Sequence, residues 1–250
     1  MDILLSGASG KVGREIERLV GSGRKDRIAG RADRNCFFDS DRHADVLIDF
    51  SRPALCARSL EFACSQKIPL VIGTTGLDDE MQLEIDAAAA GIAICQAANF
   101  SIGVNLLMKL VGDAAGALDE SEFDIEISEI HHRWKVDAPS GTALALGRAA
   151  AQARGQRHRD VAAFDRHAAE AERAEGQIGY QTVRGGDVAG EHTVYFLGDG
   201  ERLELSHRAT DRAIFARGAL VAARWLLGRP AGLYGMGEVL GMGEVPSGKL

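Results

Sequence analysis

The chain predicts an α/β protein, a Rossmann-type dinucleotide-binding domain joined to a second α+β domain with a mixed sheet. Three observations carry this. Short apolar runs alternate with amphipathic ones over the first hundred residues, a glycine turn follows the first run, and the late strand-like runs are joined by tight Gly/Asp turns. The runs Ile3–Leu5, Arg27–Ala29, Val46–Phe50, Leu70–Ile72 and Ile92–Cys95 read as strands. Between them, Lys11 to Val20, Pro53 to Ser65 and Asp78 to Ala90 read as helices, with Pro53 suited to a first turn where no backbone N–H is needed. A five-strand doubly wound sheet follows.

From Gly103 the pattern changes. Val104, Leu107, Leu110, Val111 and Ala114 recur at helical spacing, and Phe123, Ile125 and Ile127 alternate as a strand does. The runs Ile178–Val183, His192–Leu197 and Arg202–Ser206, linked by turns such as Gly198-Asp-Gly200, predict antiparallel or mixed sheet. Residues 151–176 are polar and Ala/Arg/Glu-rich, which predicts partial helix and a mobile loop. A helix from about Arg212 to Leu227 precedes a glycine-rich tail in which Gly-Met-Gly-Glu-Val occurs twice, at 235 and 241. The expected domains are 1–102 with 213–250 for the dinucleotide, and 103–212 for substrate and oligomerisation.

Composition narrows the function. With 250 residues, 46% hydrophobic and 26% charged, the chain can bury a sizeable core. A formal net charge of -7 opposes general nucleic-acid binding, which needs a basic surface. Cys36, Cys56, Cys64 and Cys95 match neither a zinc ribbon nor a C-x-x-C pair, so they read as reduced thiols of a cytoplasmic protein. The N-terminus enters Asp2-Ile-Leu-Leu5 without a basic leader, and Ala213–Leu227, interrupted by Arg217 and Arg224, is too short and too charged for a bilayer span.

The turn Gly7-Ala-Ser-Gly10-Lys-Val-Gly13 sits between a strand and a helix, where small residues let a pyrophosphate approach free N–H groups. Asp33, 20 residues past Gly13, is placed to hydrogen-bond the adenosine ribose, and Arg34 beside it could pair with a 2′-phosphate. The pair is compatible with NADH and with NADPH. Gly73-Thr-Thr75 and Ala97-Ala-Asn-Phe100 close the fourth and fifth strands, where an open α/β sheet forms its ligand crevice.

The densest chemistry lies in Glu129-Ile-His-His-Arg-Trp-Lys-Val-Asp-Ala-Pro-Ser-Gly-Thr142. It leaves a strand with His131 and His132, adds Lys135, and turns into a helix at Ser140, Gly141 and Thr142, an anion site beside a full positive charge. A carboxylate substrate is implied. One metal cannot easily take both histidines, because neighbours on a strand point to opposite faces, and no further ligands complete a set. Ser140 reads as a helix cap and substrate contact, since no G-x-S-x-G elbow surrounds it.

These residues resemble the 4-hydroxy-tetrahydrodipicolinate reductase family, long called dihydrodipicolinate reductase. The Gly7 loop, Asp49-Phe-Ser-Arg-Pro53, Val71-Ile-Gly-Thr-Thr-Gly76, Ala98-Asn-Phe-Ser101, the segment Glu129 to Ala143, Thr182-Val-Arg-Gly-Gly-Asp187 and Gly190-Glu-His-Thr193 run in family order. The resemblance implies NAD(P)H-dependent reduction of a cyclic imine dicarboxylate in lysine (diaminopimelate) biosynthesis, a C-terminal helix that returns to the nucleotide domain, and a homotetramer formed through the second domain's sheet. It implies cofactor contacts at Gly7, Ala8, Ser9, Gly10, Lys11, Val12, Asp33, Arg34, Gly73, Thr74, Thr75, Ala97, Ala98, Asn99 and Phe100, with Arg212 as an interdomain arginine grouped with them. His131 corresponds to the general acid/base and Lys135 to the proton donor. His132, Lys135, Ser140, Gly141 and Thr142 correspond to substrate contacts. The chain departs from the family in having only about ten residues between Arg34 and Asp45. Two rivals remain: another two-domain Rossmann reductase, such as an amino-acid dehydrogenase, and a non-catalytic NAD(P)-binding protein.

Overall fold

The computed structural model describes residues 1–23, 25–39, 43–166 and 172–243. Among the described residues two compact units are present, 1–102 together with 212–243, and Gly103–Asp211.

In the first unit, β1 (Asp2–Ser6), α1 (Lys11–Ser22), β2 (Arg27–Ala32), β3 (Val46–Asp49), α2 (Pro53–Gln66), β4 (Leu70–Ile72), α3 (Asp79–Ala88) and β5 (Ala93–Gln96) alternate. Every strand pairing in this sheet is parallel, and the order β2-β1-β3-β4-β5 reverses direction between β1 and β3. Alternate side chains split between the two faces. Ile3, Leu5, Val46, Ile48, Val71 and Cys95 pack one way, and Leu4, Leu47, Leu70, Ile72 and Ile94 pack the other. The near-continuous apolar runs of β1, β3 and β4 reflect burial on both sides. Pro53 opens α2 and the Asp78 carboxylate caps α3 by accepting from the Met81 N–H at 2.9 Å.

The sheet has six strands rather than the five expected. The sixth, β11 (Gly232–Tyr234), pairs parallel with β5 and comes from the tail that composition marked only as glycine-rich. Three residues flanked by glycine and proline carry no periodicity, so the strand exists through its ladder to Ala93–Cys95. It follows α7 (Ala213–Leu226), whose Ala216, Ala219, Leu220, Ala223 and Leu226 bury against the Ile3/Leu5 face beside Ile16 and Val20 of α1. The first Gly-Met-Gly-Glu-Val copy forms α8 (Met236–Val239), whereas the second extends past Gly243, beyond the described residues.

In the second unit, α4 (Ile102–Ala117), β6 (Asp124–His131), α5 (Gly141–Ala153), α6 (His158–Val161), β7 (Ala162–Ala163), β8 (Ile178–Arg184), β9 (Gly190–Gly198) and β10 (Glu201–Ala209) form a five-stranded mixed sheet in the order β10-β9-β6-β8-β7. β6 runs parallel to β8 and antiparallel to β9. Val104, Leu107, Val111, Leu146 and Ala150 of the helices cover Ile125, Ile127, Ile178, Val194 and Phe196. Leu110 shares the helical spacing of that set yet stands 44% exposed, because α4 meets the sheet on the stripe through Val104, Leu107, Met108 and Val111. In the stretch 151–176 the expected partial helix is the end of α5 and the short α6, the two-residue β7 was not expected, and the part of the expected loop at residues 167–171 lies outside the described residues.

Gly218 of α7 packs directly on the turn after β5: a Cβ there would stand 1.7 Å from the Phe100 carbonyl oxygen. Gly218→Ala should therefore overpack this contact and cost about 1–3 kcal/mol. A thermal unfolding midpoint equal to that of the parent chain would contradict this packing.

Candidate active site

The strand register builds a polar site on the end of an apolar core. One face of β6 buries Ile125, Ile127, Glu129 and His131 in turn. Ile125 lies beside Ile178 and Phe196, and Ile127 beside Tyr180 and Val194; the next row is Glu129 between Thr182 and His192, and His131 then lies beside Arg184. Two apolar rows thus give way to two rows of titratable groups without a change of face.

Glu129 is 1% exposed and accepts from every side. Arg184 donates Nη1 to Oε2 and Nη2 to Oε1, each at 2.8 Å, the Ser140 N–H donates to Oε1 at 3.1 Å, and the Thr182 hydroxyl reaches Oε1 at 3.3 Å. His131 Nδ1 lies 2.5 Å from Oε2. Burial alone would raise the Glu129 pKa, but the hydrogen bonds from Arg184 and His131 and their charges outweigh it and hold the carboxyl below its ordinary value. Burial lowers the His131 pKa, with the Glu129 carboxylate opposing it.

His192, buried, packs edge-on against His131 with ring centroids 5.1 Å apart, and its Nε2 is 3.0 Å from the Ser140 hydroxyl. That hydroxyl accepts from the Ala143 N–H at 3.1 Å and so caps α5, as expected for Ser140. Gly141 is exposed and Thr142 half-buried in the first turn of α5. Lys135 donates to both Asp137 oxygens, at 2.8 and 2.7 Å, and its charge acts on His131. His132 leaves the sheet by donating its N–H to the Val188 carbonyl at 2.8 Å, and its ring sits 5.8 Å from Trp134, which is 70% exposed. Among the described residues no group of three or more His, Cys, Asp or Glu is arranged to hold a metal ion.

The first unit's crevice opens where the strand order reverses, as the topology of open α/β sheets requires. Gly7 has φ 79°, and a Cβ on it would stand 2.2 Å from the Phe50 carbonyl oxygen. A Cβ on Gly13 would stand 2.3 Å from the Gly7 carbonyl oxygen, so only glycines let the helix start close on the loop. Gly10 caps α1 without any side-chain hydrogen bond, and the first turn holds no acid. A pyrophosphate fits these residues, since the helix N-terminus has no side chain competing for it. Ala8 is buried, Val12 half-buried, and Ser9 and Lys11 exposed on the same turn.

Asp33 follows β2, its Oδ1 accepting from the Asn35 N–H at 2.9 Å, and Arg34 is exposed. Among its described residues the short connection to β3 forms no helix, and Phe37 and Phe38 pack it onto Phe62. Gly73 faces the Phe50 ring, where a Cβ would stand 2.3 Å from the nearest ring carbon. Thr74 is buried with its hydroxyl on Asp49 at 2.5 Å, while Thr75 is exposed. The Ala97 N–H donates to the Ile72 carbonyl at 3.2 Å, Ala98 is exposed, Asn99 Oδ1 accepts from the Ser101 N–H at 2.8 Å, and the buried Phe100 ring lies 5.3 Å from Phe50. Arg212 precedes the first turn of α7.

Sequence reasoning met Glu129, Arg184, His192 and Asp49 only as members of quoted motifs and gave none of them a role. Asp49, fully buried, accepts from Ser51, Ser59 and Thr74 and pins the two crevice turns together. The period-2 pattern of β6 already put Glu129 on the core-facing side, where a carboxylate needs partners.

The family model for the dihydrodipicolinate reductase N-terminus matches residues 1–100, and that for its C-terminus matches residues 103–240. The chain belongs to the dihydrodipicolinate reductase family. The 4-hydroxy-tetrahydrodipicolinate reductase of Anaeromyxobacter sp. (strain Fw109-5) is 44% identical over 97% of this chain and 98% of its own length. That of Zymomonas mobilis is 47% identical over 95% and 96%. Among solved structures, the dipicolinate-bound dihydrodipicolinate reductase from Paenisporosarcina sp. TG-14 shares the fold, with TM-score 0.76 and 24% identity over 94% of this chain and 97% of that one. This is an oxidoreductase family that works with a nicotinamide cofactor, and no described helix is long and apolar enough to cross a membrane.

Burial holds His192 neutral, its pKa pushed down to about 3 from an ordinary value near 6.5. Between those values the unfolded chain binds a proton that the folded chain refuses, so stability should fall on acidification from about pH 6.5, by up to about 1.4 kcal/mol per pH unit from this residue. His131 contributes with the same sign. The slope of the unfolding midpoint between pH 7 and pH 5 should be shallower in His192→Gln than in the parent, and equal slopes would remove His192 from the effect.

Proposed function

We propose that this chain reduces 4-hydroxy-tetrahydrodipicolinate to tetrahydrodipicolinate in lysine (diaminopimelate) biosynthesis, using either NADH or NADPH. The observation that carries the reading is the Glu129–His131 pair on β6, set in the His-His-x-x-Lys-x-Asp-Ala-Pro-Ser-Gly-Thr segment. Both relatives named above carry that activity in their names, at 44% and 47% identity over nearly full length.

The nicotinamide supplies a hydride when bound. Gly7, Ala8, Ser9, Gly10, Lys11 and Val12 would hold its pyrophosphate on the start of α1, and Asp33 and Arg34 its adenosine ribose. Thr74 is fixed by Asp49 with its hydroxyl turned inward, which leaves Gly73, Thr75 and the Ala97–Phe100 turn to meet the nicotinamide side. Arg212 would join this group from the start of α7. Asp33 favours free ribose hydroxyls and Arg34 favours a 2′-phosphate, which supports use of both cofactors.

Loss of the substrate's hydroxyl as water and hydride addition to the conjugated ring leave enamine character that a proton must quench. His131 is the group to carry that proton, with the Glu129 carboxylate balancing the imidazolium. Lys135 assists the transfer and draws one substrate carboxylate, for which it must share or release Asp137. His132, Ser140, Gly141 and Thr142 complete the carboxylate contacts at the start of α5. Free cysteines at all four positions support a cytoplasmic setting. The exposed Val183 and Leu197, on the sheet face away from the Ile125 core, support assembly of a homotetramer through that sheet.

The decisive experiment generates the substrate from pyruvate and aspartate semialdehyde in a coupled reaction and follows NADH and NADPH oxidation in parallel. Oxidation of both is expected, and oxidation of neither sinks the reading. His131→Gln should lower turnover by about 10²- to 10⁴-fold while cofactor binding stays nearly constant. Undiminished turnover would take His131 out of the mechanism.

A further inference from the structure

The polar rows of the second sheet contain a device that the transfer roles of His131 and Lys135 leave unused. His131 has two ring nitrogens, and only one can exchange a proton with a substrate while the other is tied to Glu129. Which nitrogen is protonated in the neutral ring decides whether the free one arrives with a lone pair or with a proton.

Three independent contacts fix the answer. Glu129 is an acceptor on both oxygens: Arg184 spans them with two 2.8 Å hydrogen bonds, and the Ser140 N–H and Thr182 hydroxyl take up Oε1. Each of these donors favours an ionised carboxylate, and an ionised carboxylate has no proton to offer. The 2.5 Å contact therefore runs from a protonated His131 Nδ1 to Glu129 Oε2. On the other side of the ring stands Gly190, φ 151°, where a Cβ would lie 2.9 Å from His131 Nε2 and 3.3 Å from Cδ2. Any side chain there would crowd the nitrogen that Glu129 leaves free. His192 bounds the ring plane edge-on at 5.1 Å and is itself tied to Ser140.

We propose that Glu129, clamped by Arg184, is the positioning residue of this site: it holds His131 with Nδ1 protonated and presents Nε2, in the space kept by Gly190, as the atom that exchanges the proton. Arg184 also donates to the Asp137 carbonyl at 2.6 Å, so the clamp that orients the histidine anchors the loop carrying Lys135. The inference deepens the reductase reading and rests on it for its catalytic meaning, but the state of the ring can be measured in the resting protein.

The test is the ¹⁵N–¹H correlation spectrum of the full chain labelled at histidine, with His131 assigned by its loss in His131→Gln. Above pH 7 the expected pattern is a protonated Nδ1 and an unprotonated Nε2. In Glu129→Gln the amide can donate to Nδ1, so the pattern should reverse or become mixed. Turnover should then fall roughly 10- to 100-fold, less than on removing the acid/base itself, with KM for the nicotinamide within about twofold. A parent protein with the proton on Nε2 overturns the proposal, and that measurement needs no variant to fold. So does a folded Glu129→Gln chain with unchanged ring state and turnover. If the parent reduces no substrate at all, the functional reading fails while the ring state still decides the role of Glu129.

Discussion

A carboxylate buried to 1% exposure needs a reason to be there, and in this protein the arrangement of the second sheet supplies it. Taking a single charge out of water costs several kcal/mol, and it survives only where donors replace the lost solvent. Glu129 receives Arg184 from β8, Thr182 from β8, Ser140 from the start of α5 and His131 from its own strand. Strand pairing, helix capping and the placement of His131 are thus tied to one ion. The parallel register of β6 on β8 is what brings the guanidinium within reach, since Glu129 lies beside Thr182 and His131 beside Arg184. A slip of one residue would turn Arg184 to the other face and leave the carboxylate without its main partner.

The first unit uses the same principle in a different place. Asp49 ends β3 fully buried, and three hydroxyls from Ser51, Ser59 and Thr74 satisfy it. The effect is geometric: the turn after β3 and the turn after β4 are held together next to the point between β1 and β3 where the strand order reverses. Small residues then keep the approach open, with Gly7 and Gly13 closing loop on helix at distances that no side chain would allow. Rigidity comes from buried polar pins and access from missing side chains.

Much of this was legible in the sequence, and the reasons for the exceptions are physical. The parallel strands announced themselves because burial on both faces leaves no polar residue to interrupt Ile3–Leu5 or Leu70–Ile72. The glycine turn and the His131–Thr142 segment stood out because their residue types are rare together. What could not be read was pairing over long separations. Arg184 is 55 residues from Glu129, and ladder register rather than local pattern sets it beside His131 on one side of β6 and sets His192 beside Glu129 on the other. Strand β11 was missed for a related reason, since three residues near glycines become a strand only when β5 offers an edge. In the short connection after β2, Phe37 and Phe38 cover the sheet beside Phe62, a packing that no local pattern announces.

The return of α7 to the first unit bears on how the chain must be made. Its alanines and Leu220 cover the Ile3/Leu5 face of the sheet, and β11 supplies the last edge. As the chain leaves the ribosome, residues 1–102 emerge before α7, so one side of their sheet has its cover in a segment not yet translated. The second unit, continuous in sequence, can finish its own core before that segment appears. The order of assembly therefore runs against the order of synthesis: of the two units, the one whose first strands come earlier in the chain is the last to be sealed.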